Sequence, residues 1–254
     1  MKVAKSERLV GLGLGLMVAV SLTTASHAQE EEIEWDTAEL FFELNDTDGD
    51  LGLQADLDGE PWESLTISDP RDIPLLNLRT STRLRRQGLS ELTFESNEPP
   101  FDEVPPEITF RRFPEGVYEI EALTLEGQEL ESEVMVSHVL AGPPSEVTVN
   151  GQPSAADCDA DVLPVVMAPV TIDWAPVIES HPTIGTTGVP VEIDVYQFFL
   201  ERDDAELGVD LANDVTEFTA PAELLGEPGE WKFEIIAREE NGNKTAVESC
   251  FFLQ

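Results

Sequence analysis

A strict two-residue alternation near residue 235 limits this chain to strand-based folds. Between Pro228 and Gly242, apolar side chains occupy alternate positions. They are Trp231, Phe233, Ile235 and Ala237, with Ile236 as the apolar exception on the opposite face. Such alternation places apolar side chains on one face of a β-strand and polar ones on the other. The pattern predicts a half-buried strand that begins at a Pro-Gly turn and ends in a hairpin at Asn241-Gly242.

The same arrangement occurs earlier in the chain. After the turn at Pro114-Glu115-Gly116, the residues Tyr118, Ile120 and Ala122 alternate with glutamates. One short helix is predicted between Asp102 and Phe113, where Pro105-Pro106 allows only a helical start, because prolines are tolerated where a helix begins. Strands are predicted near Glu39–Leu44, Leu51–Leu57, Trp62–Ser68, Leu75–Arg85, Leu92–Ser96, Val117–Leu125 and Leu130–Val139.

Two tryptophans at inward strand positions, Trp174 and Trp231, suggest a family. A core Trp on an early strand and an aromatic residue opening a late strand resemble fibronectin type III domains. The chain is similar to exported bacterial proteins with tandem immunoglobulin-like or fibronectin type III-like domains. The resemblance implies an all-β fold of two tandem β-sandwiches, with both tryptophans in the core of the second. A break at Gly142-Pro143-Pro144 predicts domains at residues 29–141 and 142–254.

The first 28 residues have the features of a signal peptide. Lys2, Lys5 and Arg8 precede an apolar run from Leu9 to Leu22, and small residues lead up to Ala28. We expect cleavage after Ala28 and a periplasmic or secreted mature chain without a membrane span. An uncleaved membrane anchor is the alternative, but the run is shorter than the roughly 20 apolar residues that a bilayer requires.

The charge of the chain excludes some partners. Its formal net charge is −38. The predicted signal peptide holds three basic residues and one acidic residue, so its removal makes the charge more negative still. A surface of this sign repels nucleic acid and anionic lipids. Two interpretations remain open: adaptation of the whole surface to saline surroundings, and a surface that collects cations.

Two cysteines, Cys158 and Cys250, follow the predicted signal peptide. An even number of cysteines in an exported protein favours a disulfide, because the bacterial periplasm is oxidising. A redox-active thiol is the alternative. Neither a Cys-x-x-Cys motif nor a basic neighbour supports it, since Asp157 and Asp159 flank Cys158.

Three alternating aspartates, Asp46, Asp48 and Asp50, are the candidate metal ligands. Carboxylates at this density suit calcium. The spacing does not fit a helix-flanked calcium loop, because Leu51 and Leu57 stand where that loop needs Gly and Glu. The alternative is a polar hairpin that turns at Asp48-Gly49, and no other cofactor is predicted.

A basic segment stands out against the acidic background. Arg79, Arg83 and Arg85 would lie on one face of the strand predicted at Leu75–Arg85, and Arg86 follows them. Guanidinium groups in a row could dock carboxylates or phosphates. The alternative is that they pair with acidic residues of their own domain.

The sequence favours a binding protein over an enzyme. His138 and His181 are the only histidines after the predicted signal peptide, and no catalytic motif surrounds them. We therefore expect an exported, non-catalytic binding or scaffold protein whose partner is an unknown protein or glycan. The alternative is a secreted hydrolase or a carbohydrate-active accessory protein, because some of the many carboxylates will lie close together in space.

Overall fold

The structure is a computed structural model that describes residues 32–202 and 205–254. The predicted signal peptide lies outside these residues. The first half contains β1 (Glu32–Glu34), β2 (Thr37–Asn45), β3 (Asp50–Ser68), β4 (Pro74–Arg79), α1 (Thr82–Gln87), β5 (Leu89–Glu95), α2 (Pro106–Arg112), β6 (Gly116–Thr124) and β7 (Glu129–Val136). The second half contains β8 (Ser145–Val149), β9 (Gln152–Pro153), β10 (Val165–Val166), β11 (Val170–Ala175), β12 (Ile193–Arg202), β13 (Ala205–Ala212), β14 (Glu217–Ala220), α3 (Ala222–Leu225), β15 (Gly229–Glu239) and β16 (Lys244–Leu253).

Strands from both halves belong to one hydrogen-bonded network. Its main path runs β1-β7-β6-β3-β2-β16-β15-β12-β13, and β4, β5 and β10 pair beside it. A second sheet has the order β14-β11-β8-β9 and packs in the second half. The all-β class predicted from the sequence is confirmed.

The alternation that predicted β15 and β6 is confirmed by burial. Trp231, Phe233 and Ile235 are buried on β15, and Tyr118 and Ile120 are buried on β6. The glutamates between Tyr118 and Ala122 are exposed. Both strands therefore place one apolar face against a core, and the turn at Asn241-Gly242 joins β15 to β16 as expected.

The continuous strand predicted at Leu75–Arg85 is wrong. β4 ends at Arg79, and residues 82–87 form α1 instead. β4 and β5 both pair with β3: Arg79 lies opposite Ser64, and Leu89 lies opposite Trp62. Residues 80–88 thus leave the sheet between two neighbouring pairing positions and return to it. The alternation of Leu and Thr continues through this stretch in the sequence. The next part of β3 is already paired with β5, so no backbone is left for these residues to pair with.

The helix predicted between Asp102 and Phe113 is confirmed as α2, which begins at Pro106. Phe110 on α2 packs edge-on against Phe42, with 5.4 Å between ring centroids. α2 therefore covers the core beside β2. The sequence did not predict α1 or the single turn of α3.

Two clusters of buried side chains form the interior. The first contains Trp35, Trp62 and Tyr118 and extends along the chain to Leu140. The second begins at Ala141 and contains Trp174 and Trp231, which confirms that these two tryptophans share a core. Ile184 is an exception, because it comes from the second half and packs in the first cluster. Residues 32–202 and 205–254 belong to one compact unit, and the domain boundary stays a prediction.

Candidate functional site

The predicted disulfide is present. Cys158 and Cys250 are bonded, and the bond joins the loop after β9 to β16. The Ser249 hydroxyl donates to the Ala155 carbonyl (2.9 Å) and fixes the same loop. Disulfides are typical of proteins that fold in oxidising compartments. The bond therefore fits an exported protein.

The three candidate calcium ligands lie at the turn between β2 and β3. Asn45 organises the turn, because its Oδ1 accepts from the backbone N–H groups of Thr47 (3.0 Å) and Asp48 (3.1 Å). Asp46 points away from the turn and accepts from Nε2 of His181 (2.9 Å). The structure therefore shows the hairpin, in which Asp46 is hydrogen-bonded to His181 instead of to the turn.

Asp50 lies at the start of β3, where burial and then the carboxylate of Asp48 raise its pKa. Among residues 32–202 and 205–254, no group of three or more His, Cys, Asp or Glu side chains could hold a metal ion. Calcium binding by Asp46, Asp48 and Asp50 stays a prediction.

The four arginines do not form a row on a strand. Arg79 ends β4, and Arg83, Arg85 and Arg86 lie on α1. Arg85 forms a bidentate pair with Glu63, with N to O distances of 2.5 and 3.0 Å. This hydrogen bonding lowers the pKa of Glu63. In the part of the chain that the structure describes, no ion pair or hydrogen bond involves the side chains of the other three arginines. Anion docking by this segment stays a prediction.

The two halves meet at a junction that the sequence did not predict. β16 pairs in parallel with β2 over three residues, so that Lys244 lies beside Glu43. Asn243 immediately precedes β16 and is almost fully buried. Its Oδ1 accepts from the Phe42 N–H (2.8 Å). Its Nδ2 donates to the carbonyls of Ser137 (2.9 Å) and Val139 (2.7 Å). One side chain thus holds β2, the segment after β7 and the β15–β16 turn together.

Charged and polar side chains surround this junction. Arg238 pairs with Glu39 at 2.6 Å, and Lys244 pairs with Glu43 at 3.4 Å. The Thr245 hydroxyl, which is buried, donates to the Ala141 carbonyl (2.9 Å). Every one of these contacts joins residues of the first half or the connecting segment to the β15–β16 hairpin.

A loop from the second half reinforces the junction. The His181 N–H donates to the Leu140 carbonyl (2.7 Å), and the Thr186 N–H donates to the His138 carbonyl (2.8 Å). Gly185 has φ +69°, and a Cβ there would lie 2.1 Å from the His138 oxygen. Only glycine therefore allows this loop to lie so close to the connecting segment and to bring Ile184 into the first core.

Both histidines have structural partners. His181 is 4% exposed, and its Nδ1 accepts from the N–H of Ile184 (2.9 Å) while its Nε2 faces Asp46. The acceptor role of Nδ1 places the proton on Nε2. The His138 ring tilts against Phe110 at 4.3 Å, and its Nε2 contacts the Phe113 carbonyl at 2.8 Å. These contacts fix the His138 ring against α2 and the His181 ring against the turn between β2 and β3.

Three glutamates have strongly perturbed acidity. Burial raises the pKa of Glu98, Glu234 and Glu239 to about 7. Neighbouring carboxylates add to the effect at Glu98 and Glu234, whereas the Ala141 N–H and Asn241 oppose it at Glu239. Glu239 is the most buried of the three, at 4% exposure, and lies in the junction. Among the described residues its Oε1 has no hydrogen-bond partner.

No protein-family model and no curated protein matches the sequence. Among solved structures, the chain is similar to the FN1–FN3 domains of chicken CNTN1, with a TM-score of 0.33 and 9% identity over 87% of this chain and 67% of that one. It is also similar to a two-domain fibronectin type III segment from chicken tenascin, with a TM-score of 0.31 and 11% identity over 86% of this chain and 98% of that one. The human OSCAR ligand-binding domain has a TM-score of 0.25 and 14% identity over 84% of this chain and 97% of that one.

In the part of the chain that the structure describes, no helix is both long enough and apolar enough to cross a membrane.

Proposed function

We propose that this chain is an exported, non-catalytic binding or scaffold protein that holds its two halves in one fixed arrangement. The observation that carries the proposal is the junction around Asn243. Consecutive domains usually move relative to each other unless a large or specific interface joins them. Here paired strands, two ion pairs and a buried asparagine all join the same hairpin to the first half. A frame of this kind suits a protein that presents surfaces at a set spacing.

Export is supported by the disulfide and by the features of residues 1–28. A cytosolic environment keeps thiols reduced, so the bond between Cys158 and Cys250 fits a chain that folds outside it. Fractionation of producing cells tests this step. We expect a disulfide-bonded chain that starts near Gln29 outside the cytoplasm, and a reduced chain with its first residue retained would contradict export.

The fixed arrangement is tested by single-molecule energy transfer. Dyes attached through unnatural amino acids at the exposed positions Glu91 and Asp210 report on the distance between the halves without adding a thiol. We expect one narrow distribution in the native protein and a broader one in Asn243→Asp. A broad distribution in the native protein would overturn the scaffold proposal. The variant Asn213→Asp, which changes one bond within the second half, is the matched control.

One observation favours the second candidate, a hydrolase. Glu98 has a pKa of about 7, and the nearby Asp50 also has a raised pKa. Glycosidases use one carboxylic acid that stays protonated near neutral pH and one carboxylate. Chromogenic glycosides incubated with the native protein and with Glu98→Gln separate the two functions. Turnover that Glu98→Gln abolishes would support the hydrolase, and we expect no turnover by either protein.

A further inference from the structure

The segment that forms α1 leaves the sheet, although the pairing of β4 and β5 with β3 does not require so long a connection. The pairing partners of Ser64 and Trp62 on β3 are Arg79 and Leu89, so β4 and β5 follow one another along the same strand. A much shorter connection would join them. Residues 81–88 instead extend away from the sheet, and residues 82–87 of this segment form α1.

Core packing does not explain this turn. α1 buries none of its six residues. Its N-cap residue, Ser81, makes no side-chain capping bond, and no acidic residue lies in its first turn. Thr82 has φ +50°, a left-handed conformation that is costly for a β-branched residue. The contacts that fix the turn on the first half are polar: Arg85 pairs with the Glu63 carboxylate, and the N–H and hydroxyl groups of Thr80 donate to the Glu63 carbonyl (both 2.9 Å).

The turn concentrates positive charge on an acidic protein. Four of the fourteen basic residues of the chain lie between positions 79 and 86. Arg79, Arg83 and Arg86 are exposed and form no ion pair within the described residues. Glu63 compensates Arg85 and also feels the charge of Arg79. Three guanidinium groups therefore remain available to an external anion.

Apolar side chains accompany these arginines. Leu84 on α1 is 46% exposed, and Leu125, at the end of β6, is 41% exposed. Leu125 lines an open surface pocket of about 570 Å³, together with Glu63, Thr82, Arg85 and Arg86. A Cβ on Gly88 would lie 2.8 Å from Cβ of Pro61 and 3.1 Å from Leu125, so glycine keeps the turn against these two side chains. The pocket thus brings apolar Leu125 next to the guanidinium group of Arg86 and the pair between Arg85 and Glu63, and Leu84 lies on the same turn.

We propose that this surface, which we call the arginine turn and define as residues 79–89 with Leu125, docks an acidic segment of a partner protein. Carboxylates of the segment would take the fork-shaped bidentate bonds that arginine makes with them. Apolar side chains between these carboxylates would contact Leu84 and Leu125. The inference rests on the binding role proposed above and names the chemistry of the partner.

Charge and polarity favour a protein segment over other anions. The formal net charge of −38 repels nucleic acids and anionic membranes, which carry many charges, more strongly at long range than a short segment with few carboxylates. A charged polysaccharide would satisfy the guanidinium groups but offers no aliphatic side chains for Leu84 and Leu125. A second copy of the chain carries the same large negative charge, so its approach is opposed. An acidic and partly apolar segment matches both features of the arginine turn.

Fluorescence anisotropy with the purified full chain tests the proposal. The probe is a labelled synthetic peptide of alternating Glu and Leu, and the comparison peptides replace Leu by Ser or Glu by Gln. We expect Arg83→Ser/Arg86→Ser to weaken binding of the Glu-Leu peptide by about tenfold or more, because the variant loses two exposed charge-assisted contacts to the carboxylates of the peptide. Leu84→Ser should weaken it severalfold. Arg111→Ser/Arg112→Ser, which removes two exposed arginines of α2, is the matched control and should leave binding unchanged.

The outcomes are distinct. Equal weakening by the α2 control, or equal binding of the Glu-Ser peptide, would overturn the proposal, because either result means attraction by charge without a built surface. Binding of heparin or anionic vesicles at the arginine turn in place of the peptide would also overturn it, as would self-association through the turn in sedimentation. α1 buries no side chain, so we expect the variants to melt like the native protein. Failure here would leave the export and energy-transfer tests unaffected.

Discussion

The two cores share a strand pattern but are fastened differently. In the first core, Tyr118 opens β6 and its hydroxyl donates to the Pro114 carbonyl (3.1 Å). In the second core, Trp231 opens β15 at the same place in the pattern, but its Nε1 has no partner within the described residues. The bond between Cys158 and Cys250 ties a loop of the second half to β16, whereas the first core receives Ile184 from the opposite half. One sequence pattern is thus compatible with stabilisation by a side-chain hydrogen bond, by a disulfide or by a residue packed in from the other half.

Removal of the disulfide tests how much this covalent bond stabilises the second half, and it has the largest expected effect. The bond spans a sequence separation of 92 residues. In the chain-entropy model, a loop of this size contributes about 4–5 kcal/mol. We expect Cys158→Ser/Cys250→Ser to lower the free energy of unfolding by that amount in urea titrations. Hydrogen exchange should locate the loss in the second core, and an equal loss of protection in β6 would contradict the comparison.

Trp231→Ala tests the packing of the second core. Trp231 is 2% exposed, and truncation of a buried Trp costs about 3–5 kcal/mol. The first core contains its own buried tryptophans, Trp35 and Trp62, which report its unfolding by fluorescence. We expect the second core to unfold at lower urea while these two tryptophans stay buried. A single shifted transition would mean that the junction makes the cores one cooperative unit.

Asn243→Asp tests what the cores share. The substitution keeps the acceptor for the Phe42 N–H but replaces two donated bonds with a carboxylate that faces the carbonyls of Ser137 and Val139. Loss of buried hydrogen bonds at one site costs about 2–3 kcal/mol. We expect exchange protection to fall on both sides of the junction, in β2 and in β16. A loss confined to one side would mean that Asn243 belongs to one half only.

Glu239 makes the junction sensitive to pH. Its pKa in the folded chain is about 7, whereas its ordinary value is 4.5. Between these values the unfolded chain has already lost a proton that the folded chain retains, so stability falls as pH rises from about 4.5 to about 7. Glu239→Gln should remove the part of this dependence that Glu239 contributes, leave the parts of Glu98 and Glu234, and stabilise the protein at pH 8 by about 1–3 kcal/mol. Thermal melts at pH 4 and pH 8 measure it, and an unchanged slope would show that Glu239 ionises freely.

Tyr118→Phe tests the hydrogen bond of the Tyr118 hydroxyl and has the smallest expected effect. The substitution removes the hydroxyl that bonds to the Pro114 carbonyl but keeps the ring in the core. A hydrogen bond of this type contributes about 1 kcal/mol. Urea titration should show a loss of that size, detected by Trp35 and Trp62. A loss several times larger would indicate that the corner fixes α2 as well.

The sequence predicted the features that depend on local pattern. The alternation around Tyr118 and Trp231 identified two strands and their inward faces, and Pro105-Pro106 located the start of α2. Composition and compartment predicted the disulfide. Local pattern could not predict α1, because the alternation from Leu76 to Leu84 continues where β3 offers no partner.

The junction was missed for a different reason. Asn243 follows Asn241-Gly242, so in the sequence it reads as part of a turn. Its bonds reach Phe42, Ser137 and Val139, which no local signal connects to it. Glu239 stands at the inward position that follows Ile235 and Ala237, but a glutamate so close to the Asn241-Gly242 turn is read from the sequence as the polar end of the strand. A polar residue beside a turn carries no local sign that distant parts of the chain bury it.

The distance along the chain across the junction has a kinetic consequence. Phe42 and Asn243 are separated by 201 residues, so their contact gives the fold a high contact order. Contacts of this kind form late, because the entropy of closing the intervening loop opposes them. A nascent chain therefore displays β2 with an open edge until β16 has been synthesised. Such an edge can template wrong pairings, so a chaperone that covers β2 during folding would raise the yield of native protein.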